Sequence, residues 1–83
     1  MFEKGYREDF LEAVRKYFEE HFEVEGIDIE DVGYNENLRE LRIELEEVEK
    51  FLVTVYDADE VDLGKIMYNI NEDKSIAEIY EII

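Results

Sequence analysis

Cysteine, proline and tryptophan are absent from this 83-residue chain, and bases are scarce: nine Lys and Arg stand against 25 Asp and Glu. Without cysteine there is no disulfide scaffold and no thiolate zinc site. The shortage of Lys and Arg weighs against direct nucleic-acid binding, which needs clustered bases to neutralise phosphate. It also leaves no polybasic segment for a membrane surface. No apolar run approaches the roughly 20 residues of a membrane span. The charged stretch at residues 1–9 leads into no signal-peptide core, so the expected location is cytoplasmic.

What is present argues for a folded domain. The chain is 46% hydrophobic and 13% aromatic, too apolar for an acid-rich disordered segment. A domain of this size buries roughly 60% of the surface its unfolded chain exposes, enough for one core. Residues 1–83 are therefore read as a single domain with a formal charge of −16.

Tyr6, Phe10, Val14, Tyr17 and His21 recur at three- and four-residue intervals, with Glu8, Glu12, Lys16 and Glu19 opposite them. That spacing predicts a helix over about residues 6–22. Beyond Gly26 the apolar period reads as two: Ile27 and Ile29, then Leu41, Ile43 and Leu45. Phe51–Tyr56 is apolar on both faces apart from Thr54. Strands are expected at about 24–33, 38–46, 50–57, 63–70 and 75–83. The fold class expected is α+β, one N-terminal helix packed on an antiparallel meander of four or five strands. One sheet face would then be wet or would meet a partner. No internal repeat is evident.

Acidity is unevenly spread. Residues 23–37 hold six acids and no base, and residues 51–62 hold four acids and no base. Glu23/Glu25, Asp28/Glu30, Glu44/Glu46, Asp57/Asp59 and Glu60/Asp62 are spaced i,i+2. On a strand that spacing projects both carboxylates from one face about 6.6–6.8 Å apart. Such a row approaches the charge density of a nucleic-acid backbone. Alternating acids are equally the mark of a solvated strand face, or of adaptation to high salt.

Catalytic equipment is thin. His21 is the sole histidine, and zinc would lack a second nitrogen ligand. Asp57-Ala58-Asp59 and the stretch 69–73 begin like calcium loops, but Asp62 and Lys74 stand where glycine is needed. Thr54 and Ser75 are the only hydroxyls besides tyrosine, and neither neighbours His21 in sequence. No enzyme activity, cofactor or metal is expected. Tyr6 and Tyr17 read as core, whereas Tyr56 and Tyr68 are candidates for core edge or interface. The apolar segment 79–83 suggests a homodimer through an exposed C-terminal strand.

In size, charge and expected layout the whole chain resembles the small acidic inhibitors of phages and mobile elements. These include anti-CRISPR proteins, uracil-DNA glycosylase inhibitor and other DNA mimics. The resemblance implies an inhibitor acting in the host cytoplasm on a basic nucleic-acid-binding protein, such as a CRISPR effector. Asp28, Glu30, Glu44, Glu46, Asp57, Asp59, Glu60 and Asp62 would pair with its Lys and Arg, with Tyr56 and Tyr68 as anchors. The alternatives are a protein-interaction or assembly module using the open sheet face, and an immunity protein against a nuclease.

Overall fold

The computed structural model describes residues 4–21 and 28–83. Among these, the chain forms five α-helices and one 3₁₀ turn: α1 (Arg7–His21), the turn Ile29–Asp31, α2 (Leu38–Leu41), α3 (Leu45–Tyr56), α4 (Glu60–Asn69) and α5 (Ile76–Ile82). α1 packs on the 3₁₀ turn, α3 and α5, and α3 packs on α4.

The helix expected at about 6–22 is present as α1. Phe10, Leu11, Val14, Tyr17 and Phe18 are its buried stripe, a three–four spacing that puts all five on one side. Tyr6 departs from the expected core and is 78% exposed. α1 starts after Gly5, whose φ of +68° is a conformation glycine adopts without steric cost. The Tyr80 hydroxyl donates to the Gly5 carbonyl at 2.7 Å, tying α5 to the entry of α1. Arg15 donates from Nε to the Val32 carbonyl at 2.9 Å and so secures the 3₁₀ turn.

Phe51 of α3 is the hub of the core. Its ring lies 5.8 Å from Phe10, 5.4 Å from Tyr17, 5.7 Å from Phe18 and 5.7 Å from Tyr56. Beside it Leu52 has no exposed surface. No polar or charged residue is buried among those described.

The expected α+β meander is overturned: there is no sheet among the described residues, and the sole ladder contact is an antiparallel bridge between Asn37 and Ser75. The expected strand at 38–46 is α2 followed by the start of α3. Leu41 and Ile43 are both buried because Arg42 between them takes a left-handed conformation, φ 58°, that ends α2. Two-residue alternation there records a helix junction, not a pleat. At 50–57, the buried Val48, Phe51 and Leu52 follow helical spacing while Val53 and Val55 face solvent. At 63–70, Ile66 is buried in α4 and Ile70 just after it, one helical turn on. At 75–83, Ile76 and Ile79 are buried within α5, so no C-terminal strand exists to pair two copies. Of the expected strand 24–33, residues 24–27 lie outside the described residues, as do Phe22 and Glu23, and Ile29–Asp31 is the 3₁₀ turn.

Two loop–helix units face each other across the bridge. The Leu38 and Ile76 N–H groups donate to the Lys74 and Glu36 carbonyls, at 3.3 and 3.0 Å. The Arg39 and Ala77 N–H groups donate to the Glu72 and Tyr34 carbonyls, at 2.9 and 3.1 Å. Each group in one unit has its counterpart 38 positions along in the other. Asn37 and Ser75 each cap a helix, and Glu40 and Glu78 reach back to the cap N–H groups.

Candidate functional site

The candidate acids fall into three places. Asp28 is exposed just ahead of the 3₁₀ turn, which contains Glu30; the Glu30 side chain is outside the described set. Glu44 is the first residue flanking α3, exposed and making no side-chain cap bond. Glu46 lies in the first turn of α3, 3.5 Å from the Lys50 ammonium. The third group, Asp57, Asp59, Glu60 and Asp62, gathers at the corner between α3 and α4. α3 rises about 17 Å from its first residue to its last, so Glu44 and Glu46 sit far from that corner. With no strand to carry them, the paired carboxylate rows expected from i,i+2 spacing do not form.

The corner is built from helix ends. Asp57 terminates α3 with φ 55°, and its N–H donates to the Val53 carbonyl at 3.1 Å. Ala58 then drops into the core. Asp59 opens α4, its Oδ1 accepting from the Asp62 N–H at 2.8 Å. Glu60 and Asp62 occupy the first turn, where acids are favoured by the helix dipole. Asp57 has the opposite placement: a carboxylate at the C-terminus of α3, beside carbonyls already carrying partial negative charge. Asp57, Asp59 and Glu60 are exposed and Asp62 is half-exposed. Lys65 is the only base in residues 57–69.

The two candidate tyrosines separate. Tyr56 belongs to the core, its ring 6.0 Å from Phe10 in a stacked arrangement. Burial raises its phenol above the ordinary value, with Asp9 and Tyr80 adding to the effect. Tyr68 is 89% exposed on α4. It lines a shallow open depression with Glu60, Val61, Gly64, Lys65 and Asn69. Val61 is 64% exposed. Sequence reasoning passed over Val61 and Gly64, although Val61, Lys65 and Tyr68 are spaced i, i+4, i+7 and so share one helix face.

His21 is exposed at the end of α1, its ring 4.5 Å from Tyr17. It shares a groove between α1 and α3 with Lys16, Tyr17 and Thr54, a neighbour the linear sequence did not suggest. The Ser75 hydroxyl is engaged in accepting from the Glu78 N–H at 3.2 Å. Among the described residues no group of three or more His, Asp or Glu is placed to hold a metal ion. Nor is any helix among them long and apolar enough to cross a membrane.

Comparison of the chain with protein-family models, with curated proteins and with solved structures finds no match.

Proposed function

We propose that this chain is a non-catalytic binding protein whose acidic α3–α4 corner occupies a basic surface on a partner protein. The partner class is one that holds phosphate with Lys and Arg, as enzymes of DNA and RNA do. The observation supporting this is the corner itself: four carboxylates in residues 57–62, with no base among them, Asp57, Asp59 and Glu60 exposed and Asp62 partly buried. Because no charge is buried among the described residues, the field of the acids reaches outward and steers a basic partner into contact. The resemblance to small acidic inhibitors now rests on size and charge, since the α+β layout has fallen away. A CRISPR effector is one partner that resemblance suggests.

The test is a tagged pull-down from a nuclease-treated lysate, washed at about 100 and then 500 mM salt, across which exposed charges become screened. A basic nucleic-acid enzyme retained at low salt, released at high salt and displaced by added duplex is the expected result. Reversing Asp57, Asp59 and Glu60 together to Lys should weaken that binding by more than about tenfold, each tenfold being about 1.4 kcal/mol. Capture of nothing basic, or a triple variant that binds like the parent chain, overturns the reading.

A further inference from the structure

Three residues along α4 serve the fold poorly. Gly64 lies inside the helix (Glu60–Asn69), where glycine is among the weakest helix formers. Nothing in the fold calls for it: its φ is not positive, and a Cβ built there meets no atom within 4 Å. Val61 and Tyr68 are among the most exposed large apolar residues described, at 64% and 89%. All three line the same depression as Glu60. A stripe with apolar posts at both ends and a missing side chain between them has the form of a receptor for another helix. Residues that cost a helix stability without packing inside it are expected where function is the reason.

We infer that the outer face of α4 is a docking site for a basic amphipathic α-helix of the partner, resting on the partner reading above. Val61 and Tyr68 are about 10 Å apart along the axis. A partner side chain lowered at Gly64 would fit between them, and the absent Cβ would let the two helices approach closely. An added strand is not the occupant, because the described residues offer no sheet edge to extend. Charge decides against a second copy: the chain carries −16, and the stripe adjoins Glu60 and the corner acids. Lys/Arg flanks on the incoming helix would meet those carboxylates while its apolar face covers Val61 and Tyr68. Lys65, on the same stripe, opposes such flanks and restricts where along α4 they settle.

The probe is a synthetic Lys/Leu peptide of about 18 residues, roughly 27 Å as a helix, with Leu at helical spacing. Its control has the same composition shuffled so that Leu falls on every side. Binding is followed by amide shifts of the whole chain at about 100 mM salt, near physiological screening. The amphipathic peptide should shift residues 60–69 and bind about tenfold more tightly than the shuffled one, as loss of an interface anchor typically costs. Gly64→Gln should raise the melting temperature by a few degrees yet weaken peptide binding about tenfold. Tyr68→Ser should weaken it similarly with the melting temperature unchanged, and Lys65→Glu should tighten it. Equal binding of both peptides, with shifts over all acidic segments, would sink the docking site while leaving the basic-partner reading standing. No shift with either peptide would overturn both. Undiminished affinity in Gly64→Gln and Tyr68→Ser would place the helix elsewhere and also overturn the inference.

Discussion

Asn37 and Ser75 face each other in a single antiparallel bridge, and each is also the N-cap of its own helix. The bridge brings α2 and α5 to a common origin, so their first turns are held by one set of crossed backbone bonds. Arg39 reinforces the junction, 2.9 Å from Asp73 and 3.5 Å from Glu72. Both of those pairs are exposed and add little by themselves.

Removing either cap should therefore be felt by both helices. Asn37→Ala and Ser75→Ala should each destabilise by about 1 kcal/mol, the usual cost of a lost N-cap. The double variant should deviate from additivity, because the two residues are in direct contact. Urea denaturation of the four chains in a double-mutant cycle measures this; strict additivity would mean that the bridge does not couple the helices.

Phe51 and Tyr68 are a contrasting pair. Phe51→Ala should cost about 3–5 kcal/mol, since it opens a cavity among four aromatic neighbours. Tyr68→Ala should stay within about 0.5 kcal/mol, as expected for a surface side chain away from any packed contact. Thermal melts followed by near-ultraviolet dichroism report both, because the aromatic signal originates in the cluster around Phe51.

Asp57 is a stability deficit placed within the candidate surface. It adopts φ 55° and puts a carboxylate at a helix C-terminus, where glycine would meet neither objection. Asp57→Gly should stabilise the fold by about 0.5–1 kcal/mol and at the same time weaken a basic partner. A denaturation midpoint that falls instead would show that the Asp57 side chain supports the corner.

Two groups set opposite limits on pH. Burial raises the Tyr56 phenol above its ordinary 10.0, so its contribution is complete below pH 10.0 and is lost as pH climbs through the raised value. Tyr56→Phe should remove that alkaline loss. The Glu78 carboxyl is lowered from 4.5, first by the hydrogen bond from the Ser75 backbone N–H and then by the Ser75 hydroxyl. Its contribution is present above pH 4.5 and disappears as pH falls through the lowered value. The stability gap between the parent chain and Glu78→Gln should narrow with acid; a pH-independent gap would contradict the capping role.

α1 was legible because its buried positions, Phe10, Leu11, Val14, Tyr17 and Phe18, repeat at three- and four-residue spacing with charged residues opposite. The other helices were misread for local reasons. Val53, Thr54 and Val55 are β-branched, and such residues favour strands when nothing else decides. α3 nevertheless carries Val48, Phe51 and Leu52 at helical spacing. The signals that would have corrected the reading were present: Asn37-x-x-Glu40 and Ser75-x-x-Glu78 are capping boxes, and Asp59 precedes the first turn of α4. A helix of four or seven residues shows too few turns for its period to stand out from alternation. The sites divided the same way. The acids of 57–62 adjoin in sequence and so stayed together, whereas Glu44 and Glu46 parted from them once 45–56 became a helix.

Composition alone determined that the protein is acidic, free of disulfides and supplied with enough apolar residues for one core, because these are properties of the residues whatever their arrangement. The order of the residues determined α1, where local periodicity and burial agree. Tertiary structure decided that Phe51 is the hub, that Tyr56 faces inward while Tyr68 faces out, and that Asn37 meets Ser75. Those outcomes depend on contacts between segments distant in sequence. Arg42 and Asp57 are where the decision is visible: each takes a left-handed turn that separates successive helices, and the packing across those turns sets which faces are buried.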